Sequence, residues 1–125
     1  MTEPKETRQV KQSELREIRE KLIKKQKGLC KLCGTNLLLL DPKLRCVDHD
    51  HKKTGDSAGA IRGALCSNCN SMEGKIYNRV VRAKRKLTHI QWLENLLKYW
   101  KYHQTNKTGL VHPKHKVVKK RRAKR

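Results

Sequence analysis

Two Cys-x-x-Cys pairs, "CKLC" at 30–33 and "CSNC" at 66–69, constrain this 125-residue chain more than any other feature. One such pair is ambiguous, because thioredoxin-like redox motifs share it. Two in one short chain point to a four-thiolate, tetrahedral zinc site. The N-terminus, "MTEPKETRQV", lacks the charged, apolar, then small-residue order of a secretory signal. A reducing compartment is therefore expected, where thiols bind metal more often than they pair. Four protein ligands leave no open position for water, so this zinc is expected to be structural. The chain needs such a staple: 35% of residues are hydrophobic, 34% are charged, and there is no phenylalanine, so the core must be thin. Gly34 suits a tight turn that directs backbone amides at thiolate sulfur. The span from Cys33 to Cys66 is longer than in a compact zinc ribbon, so something is inserted between the knuckles. Cys46 lies inside that insert and reads as a small buried apolar residue.

The insert also holds "VDHDH" at 47–51, in the one nearly neutral part of a chain of net charge +21. Residues 1–29 carry nine Lys/Arg against five Asp/Glu, residues 30–74 six against five, and residues 75–125 seventeen against one. A positive field this lopsided attracts a polyanion, with nucleic acid the expected partner. Arg62, Lys75, Arg79, Arg82, Lys84, Arg85 and Lys86 are the candidate phosphate contacts, although Arg62 reads equally as a strand-surface arginine. A membrane is excluded as a partner, since the longest apolar run, "LLLL" at 37–40, is far too short to span one.

Periodicity predicts a helix over 5–27, with Leu15, Ile18 and Leu22 on one face and Gly28 just past its end. "LLLLDPK" is apolar and breaks at Asp41-Pro42. "LRCVDH" (44–49) and "IRGAL" (61–65) read as short strands joined by the loop "KKTGDSAGA" (52–60), a hairpin with a long connection. Ser67 is a candidate N-cap for a helix through "NCNSMEGKIYNRVV", in which Gly74 is a cost. Thr88 and Gln91 form a capping-box pattern ahead of "HIQWLENLLKYWKYH", where Leu93, Leu96, Leu97 and Trp100 make an apolar stripe. Trp92 and Trp100 could stack on bases, but at helical spacing with leucines they read first as core or subunit interface. The end, "HPKHKVVKKRRAKR", has dense charge and no periodicity, and is expected to need a partner to order.

The order knuckle, strand ending in Asp-His, loop, strand, second knuckle, helix resembles the phage recombination endonuclease VII family, within the ββα-metal (His-Me finger, HNH-like) nucleases. Cys30-x-x-Cys33, "VDHDH", "IRGALCSNCN" and Glu73-Gly74 carry the resemblance, which continues into "WLENLLKYWK" and "VHP" at 111–113. It implies an α+β fold: a small zinc-stabilised ββα-metal finger over 30–86, an N-terminal helix over 1–29, and a C-terminal helix and basic tail over 87–125. It implies a Mg²⁺-dependent DNA endonuclease that leaves 5′-phosphate and 3′-hydroxyl ends. His49 would be the general base, and Asp48 and Asn70 would hold Mg²⁺. His51 and Glu73 match positions that assist catalysis or metal binding. Cys30, Cys33, Cys66 and Cys69 map onto the structural zinc.

Taken singly, each residue has a plainer reading. The histidines could be satisfied polar groups, Asp48 or Asp50 could bond turn amides, and Asn70 could cap its helix. Together, in this order and spacing, they favour chemistry. Within the nuclease class, a branched-DNA resolvase and a homing-type nickase acting on duplex both stay open. After "VHPKHK" only a basic tail takes the place of the family's further C-terminal domain, which weakens the expectation of paired junction cutting. A homodimer through the C-terminal stripe stays open too. The expected setting is the cytoplasm of an infected bacterial host. The alternative, from another class, is a non-catalytic zinc-binding nucleic-acid module.

Overall fold

The computed structural model describes residues 7–56 and 58–117. It is α+β, with three helices and one two-stranded sheet in the order α1 (Leu15–Lys25), β1 (Arg45–His49), β2 (Ile61–Cys66), α2 (Ser67–Ala83) and α3 (His89–Thr105). The described residues up to Ala83 form one compact unit, and those from Lys84 onward form a second. Among the described residues no helix is long and apolar enough to cross a membrane.

The first helix is shorter than its periodicity predicts. A 3-10 turn over Gln12–Glu14 leads into α1, because the Glu14 carboxylate folds back to accept from the Lys11 N–H at 2.7 Å and from Arg8 at 3.0 Å. These bonds satisfy a donor that a longer helix would have used internally. Residues 5 and 6 of the predicted span lie outside the described residues. At the other end, Lys27 (φ 57°) and Gly28 (φ 81°) take left-handed backbone, and the Gly28 N–H donates to Ile23 O at 2.8 Å. Glycine suits that reversal at no steric cost. A Cβ on Gly28 would also press on the Leu38 side chain at 3.2 Å.

The apolar stripe expected on α1 is only half-buried. Its deepest residue is Ile23, 2% exposed, which joins Cys30, Leu37, Ala64, Leu65 and Cys66 in the core. "LLLL" is two-faced: Leu37 is fully buried in a 3-10 turn over Leu37–Leu39, while Leu38 and Leu39 face solvent. Asp41 and Pro42 do break this run, with the Asp41 carboxylate accepting from the Lys43 N–H at 2.9 Å and Pro42 opening a third 3-10 turn, over Pro42–Leu44.

The predicted hairpin forms. β1 and β2 are antiparallel, pairing Arg45 with Cys66, Cys46 with Leu65, Val47 with Ala64, and His49 with Ile61. The register slips between Val47 and His49, so Asp48 sits at a bulge. On the free side of β2, the Gln26 side chain takes the place of a neighbouring strand. Its Oε1 accepts from the Ala64 N–H (2.8 Å) and its Nε2 donates to Ala64 O (2.9 Å). That exchange ties α1 to the strand whose last residue is a knuckle cysteine.

The start of α2 corrects one expectation. The helix begins at Ser67 with no intervening loop, so the capping position falls on Cys66, and the Cys69 N–H donates to Cys66 Sγ at 3.5 Å. The cysteine sulfur does the work assigned to the Ser67 hydroxyl. In the second unit, Thr88 and Gln91 form the predicted reciprocal cap of α3, with bonds of 3.0 and 3.1 Å. No residue of α3 is buried: Leu93 and Leu96 are half-buried, and Leu97 and Trp100 are exposed.

Leu37 has no exposed surface in a core of few residues. Leu37→Ala is expected to lower the unfolding free energy by about 2–5 kcal/mol, read from urea denaturation of the zinc-replete protein.

Candidate functional site

The insert folds as a hairpin, and so the two knuckles meet. The first is closed by a bridge between Leu29 and Asn36 and by the Cys30 N–H donating to Thr35 O at 2.8 Å. Its turn directs the Leu32 and Cys33 amides at Cys30 sulfur, and the Cys66 N–H reaches the same atom at 3.4 Å. All five cysteines are free thiols. The sulfurs of Cys30, Cys33, Cys66 and Cys69 all lie within 4.8 Å of one another, and Cys33 and Cys66 sulfurs are 3.8 Å apart. A Zn–S length of about 2.3 Å in a tetrahedron sets neighbouring sulfurs about 3.8 Å apart, whereas a disulfide needs about 2.05 Å. The donor set therefore fits a structural zinc.

Thiol acidities reflect the same crowding. Hydrogen bonds from the Thr35 hydroxyl and then its backbone amide bring Cys33 down to about 6. Burial opposes ionisation of Cys30, but the three amides outweigh it and its thiol is also lowered. Cys69 is pushed up to about 12, first by its hydrogen bond with Cys66 and then by burial. Four adjacent thiolates need a divalent cation to coexist. Cys46 stands outside this group, half-buried, with its thiol raised mainly by burial, as suits a small apolar residue.

A second cluster surrounds the bulge. Asp48 is 6% exposed and is the only buried charged or polar residue among those described. Its carboxylate faces Arg62 across the hairpin, with Oδ2 accepting from Nε at 2.6 Å and Oδ1 from Nη2 at 3.0 Å. The same Nη2 donates to Glu73 Oε1 at 2.8 Å, and Glu73 Oε2 lies 2.5 Å from His51 Nε2. One chain of charge thus runs Asp48–Arg62–Glu73–His51, across β1, β2, α2 and the loop after β1. Burial alone would raise the Glu73 carboxyl, but the bonds from His51 and Arg62 outweigh it and hold it below the usual range. Bidentate pairing with Asp48 raises Arg62 further above its ordinary value, against burial and with help from Glu73. One ligand atom each from Asp48, His51 and Glu73 lies within 4.8 Å of the others, so these side chains could share a cation.

The remaining site residues sit around this chain. His49 is exposed, its ring centroid 5.6 Å from that of His51, and it makes no side-chain hydrogen bond among the described residues. Asn70 is half-buried in the first turn of α2, three residues before Glu73 and so on the same helix face. Asp50 bonds a turn: its carboxylate accepts from the Lys52 N–H at 2.8 Å, which lowers it, and its own N–H donates to Ala60 O. Lys75, Arg79 and Arg82 are exposed along one side of α2. At about 100° per residue that side lies roughly opposite Glu73 and Tyr77. Lys84, Arg85 and Lys86 belong to the second unit.

Two contributions escape a reading of the sequence. Arg62 stands between phosphate contact and strand surface in that reading, whereas its guanidinium bridges the two carboxylates. Tyr77 places its ring 5.1 Å from that of His51. Its spacing from Asn70 and Glu73, 70/73/77, was the available signal. Gly74 faces the same imidazole, and a Cβ there would lie 3.6 Å from His51 Cε1, an ordinary contact.

A family model described as recombination endonuclease VII matches residues 5–102, most of the chain.

Two outcomes follow from this geometry. Cys66→Ser removes a thiolate ligand while leaving an oxygen that can still cap α2, so bound zinc, counted by metal analysis, should fall well below one per chain, with loss of the cooperative unfolding transition. Gly74→Ala should stabilise the protein by about 1 kcal/mol in denaturant melts, because the added methyl meets His51 without displacing it.

Proposed function

The chain belongs to the recombination endonuclease VII family, and on that premise we propose that it is a Mg²⁺-dependent DNA endonuclease built on a ββα-metal finger. The observation that carries the reading is the chain of charge around Asp48. A buried carboxylate, a helix-borne glutamate and an imidazole converge beside an exposed histidine, on a hairpin closed by four thiols.

Cys30, Cys33, Cys66 and Cys69 hold zinc, which keeps β2 and α2 in fixed relation to the first knuckle. Asp48 and Asn70 supply oxygen donors for Mg²⁺, a hard ion that favours them. Bound there, the ion would supply positive charge against the scissile phosphate and the leaving 3′ oxygen. His49, exposed and unspent, takes the proton of a water that attacks phosphorus. The P–O3′ bond breaks and the departing 3′ oxygen takes a proton from solvent water, leaving a 5′-phosphate and a 3′-hydroxyl. Glu73 and Tyr77 hold the His51 ring, and Glu73 keeps Arg62 and His51 at the edge of the site.

DNA is recognised mainly by backbone and shape, because the supply of cationic side chains far exceeds any evident base-reading set. Branched DNA fits the family's recombination role, and a nick in a duplex site is the other substrate class.

Zinc-loaded protein should cleave plasmid or junction DNA when Mg²⁺ is added and not when it is left out. His49→Ala should slow cleavage by about 10²–10⁴-fold with DNA affinity unchanged in a mobility-shift assay. Cleavage that is indifferent to Mg²⁺ or to His49 would overturn this mechanism. DNA binding without cleavage of any substrate would favour a non-catalytic module.

A further inference from the structure

Arg62 spends two nitrogens on the site and leaves a third free. Nε and Nη2 take both oxygens of Asp48 and one of Glu73. Nη1 makes no hydrogen bond among the described residues. The acid it pairs with is nearly sealed from water, at 8% side-chain exposure, while the arginine side chain is 39% exposed. It lies in the wall of a cavity of about 260 Å³, beside Asp48 and Glu73, with Leu32 and Leu65 as apolar lining and Lys31 as a second cation. The guanidinium therefore shares with both carboxylates the wall of a solvent-connected space large enough for a phosphate group.

This placement conflicts with a cation on Asp48. Both carboxylate oxygens already face a positive charge, and a divalent ion ligated by either one would stand a few ångströms from the guanidinium. Like charges so close, in a nearly buried position, repel strongly. Either the ion binds weakly or the arginine leaves. A guanidinium that leaves needs an anion with the same forked geometry, and a phosphodiester oxygen pair provides it.

We propose that Arg62 is an exchangeable counter-ion, holding Asp48 and Glu73 until a divalent cation takes Asp48 and then passing to the DNA phosphate, so that cation and phosphate bind cooperatively. This rests on the reading of Asp48 as a cation ligand. Arg62 keeps the two carboxylates close together without the cation. The cation then binds best when a phosphate is present to receive the arginine, and by linkage the phosphate binds best when the cation is present. The opposite role, a fixed strut, makes the opposite demand: removing Arg62 would let the carboxylates splay and weaken cation binding.

The test is Mn²⁺ binding to zinc-loaded, full-length protein, read as free Mn²⁺ by electron paramagnetic resonance. A His49→Ala background, with and without a DNA duplex, prevents turnover. Adding Arg62→Met should tighten Mn²⁺ on the order of tenfold without DNA and should remove the tightening that DNA brings when Arg62 is present. Arg62→Lys, which keeps the charge and loses the fork, should fall between and covers the case in which the methionine variant does not fold. Unchanged or weaker Mn²⁺ binding in both variants overturns the exchange. Asp48→Asn separates the two layers. If it abolishes Mn²⁺ binding while the Arg62 variants fail to tighten it, only the exchange is lost. If it leaves Mn²⁺ binding intact, the Asp48 site and the exchange fall together.

Discussion

Four sulfurs drawn within 4.8 Å of one another are the constraint on which the rest of the structure depends. The core of the first unit is a handful of residues, and two of its members, Cys30 and Cys66, belong to the sulfur group itself. Structural zinc in finger peptides is worth about 10–16 kcal/mol at neutral pH, as large as the whole stability of a typical domain, about 5–15 kcal/mol. Metal ligation on that scale at these sulfurs would outweigh what Ile23, Leu37, Ala64 and Leu65 can contribute by burial. Cys66 concentrates the effect in one residue: it ends β2, caps α2 and offers a ligand. The knuckles therefore set the angle at which the hairpin feeds the helix, and so where Asp48 and Glu73 meet.

The second determinant is charge compensation inside a basic chain. Asp48 can be buried because Arg62 meets both its oxygens, and Glu73 can stay ionised because Arg62 and His51 flank it. Removing one member of such a network leaves a charge unpaired, which costs more than the pair contributes when intact. The bulge at Asp48 matters here. A regular ladder would set Asp48 opposite Gly63, whereas the extra residue on β2 between the Val47–Ala64 and His49–Ile61 pairs brings Arg62 opposite Asp48 as well. His49, the next residue, is left facing outward with an unspent imidazole.

Much of this was legible in the amino-acid order. Cysteine spacing told of the sulfur group, the order strand, loop, strand told of the hairpin in spite of its long connection, and Thr88/Gln91 and Gly28 marked helix ends, because each signal is local. The rest depended on tertiary neighbours. Nothing local says that Arg62 faces Asp48, since the pairing is set by a bulge. Nothing local favours Cys66 over Ser67 as the cap, because strand and helix abut only once the sulfurs have met. α1 begins later than its predicted span because Glu14 folds back on Lys11, a side-chain bond that competes with the helix. The Leu15/Ile18/Leu22 stripe misplaced the deepest contact by one residue, at Ile23, because the sheet meets α1 off the centre of that stripe.

The most direct test of this account is zinc K-edge X-ray absorption on purified, full-length protein. One zinc per chain with four sulfurs at about 2.3 Å, and no nitrogen or oxygen in the coordination sphere, is the expected spectrum. A mixed sulfur and histidine or water shell, or protein that folds fully with its cysteines metal-free, would contradict it.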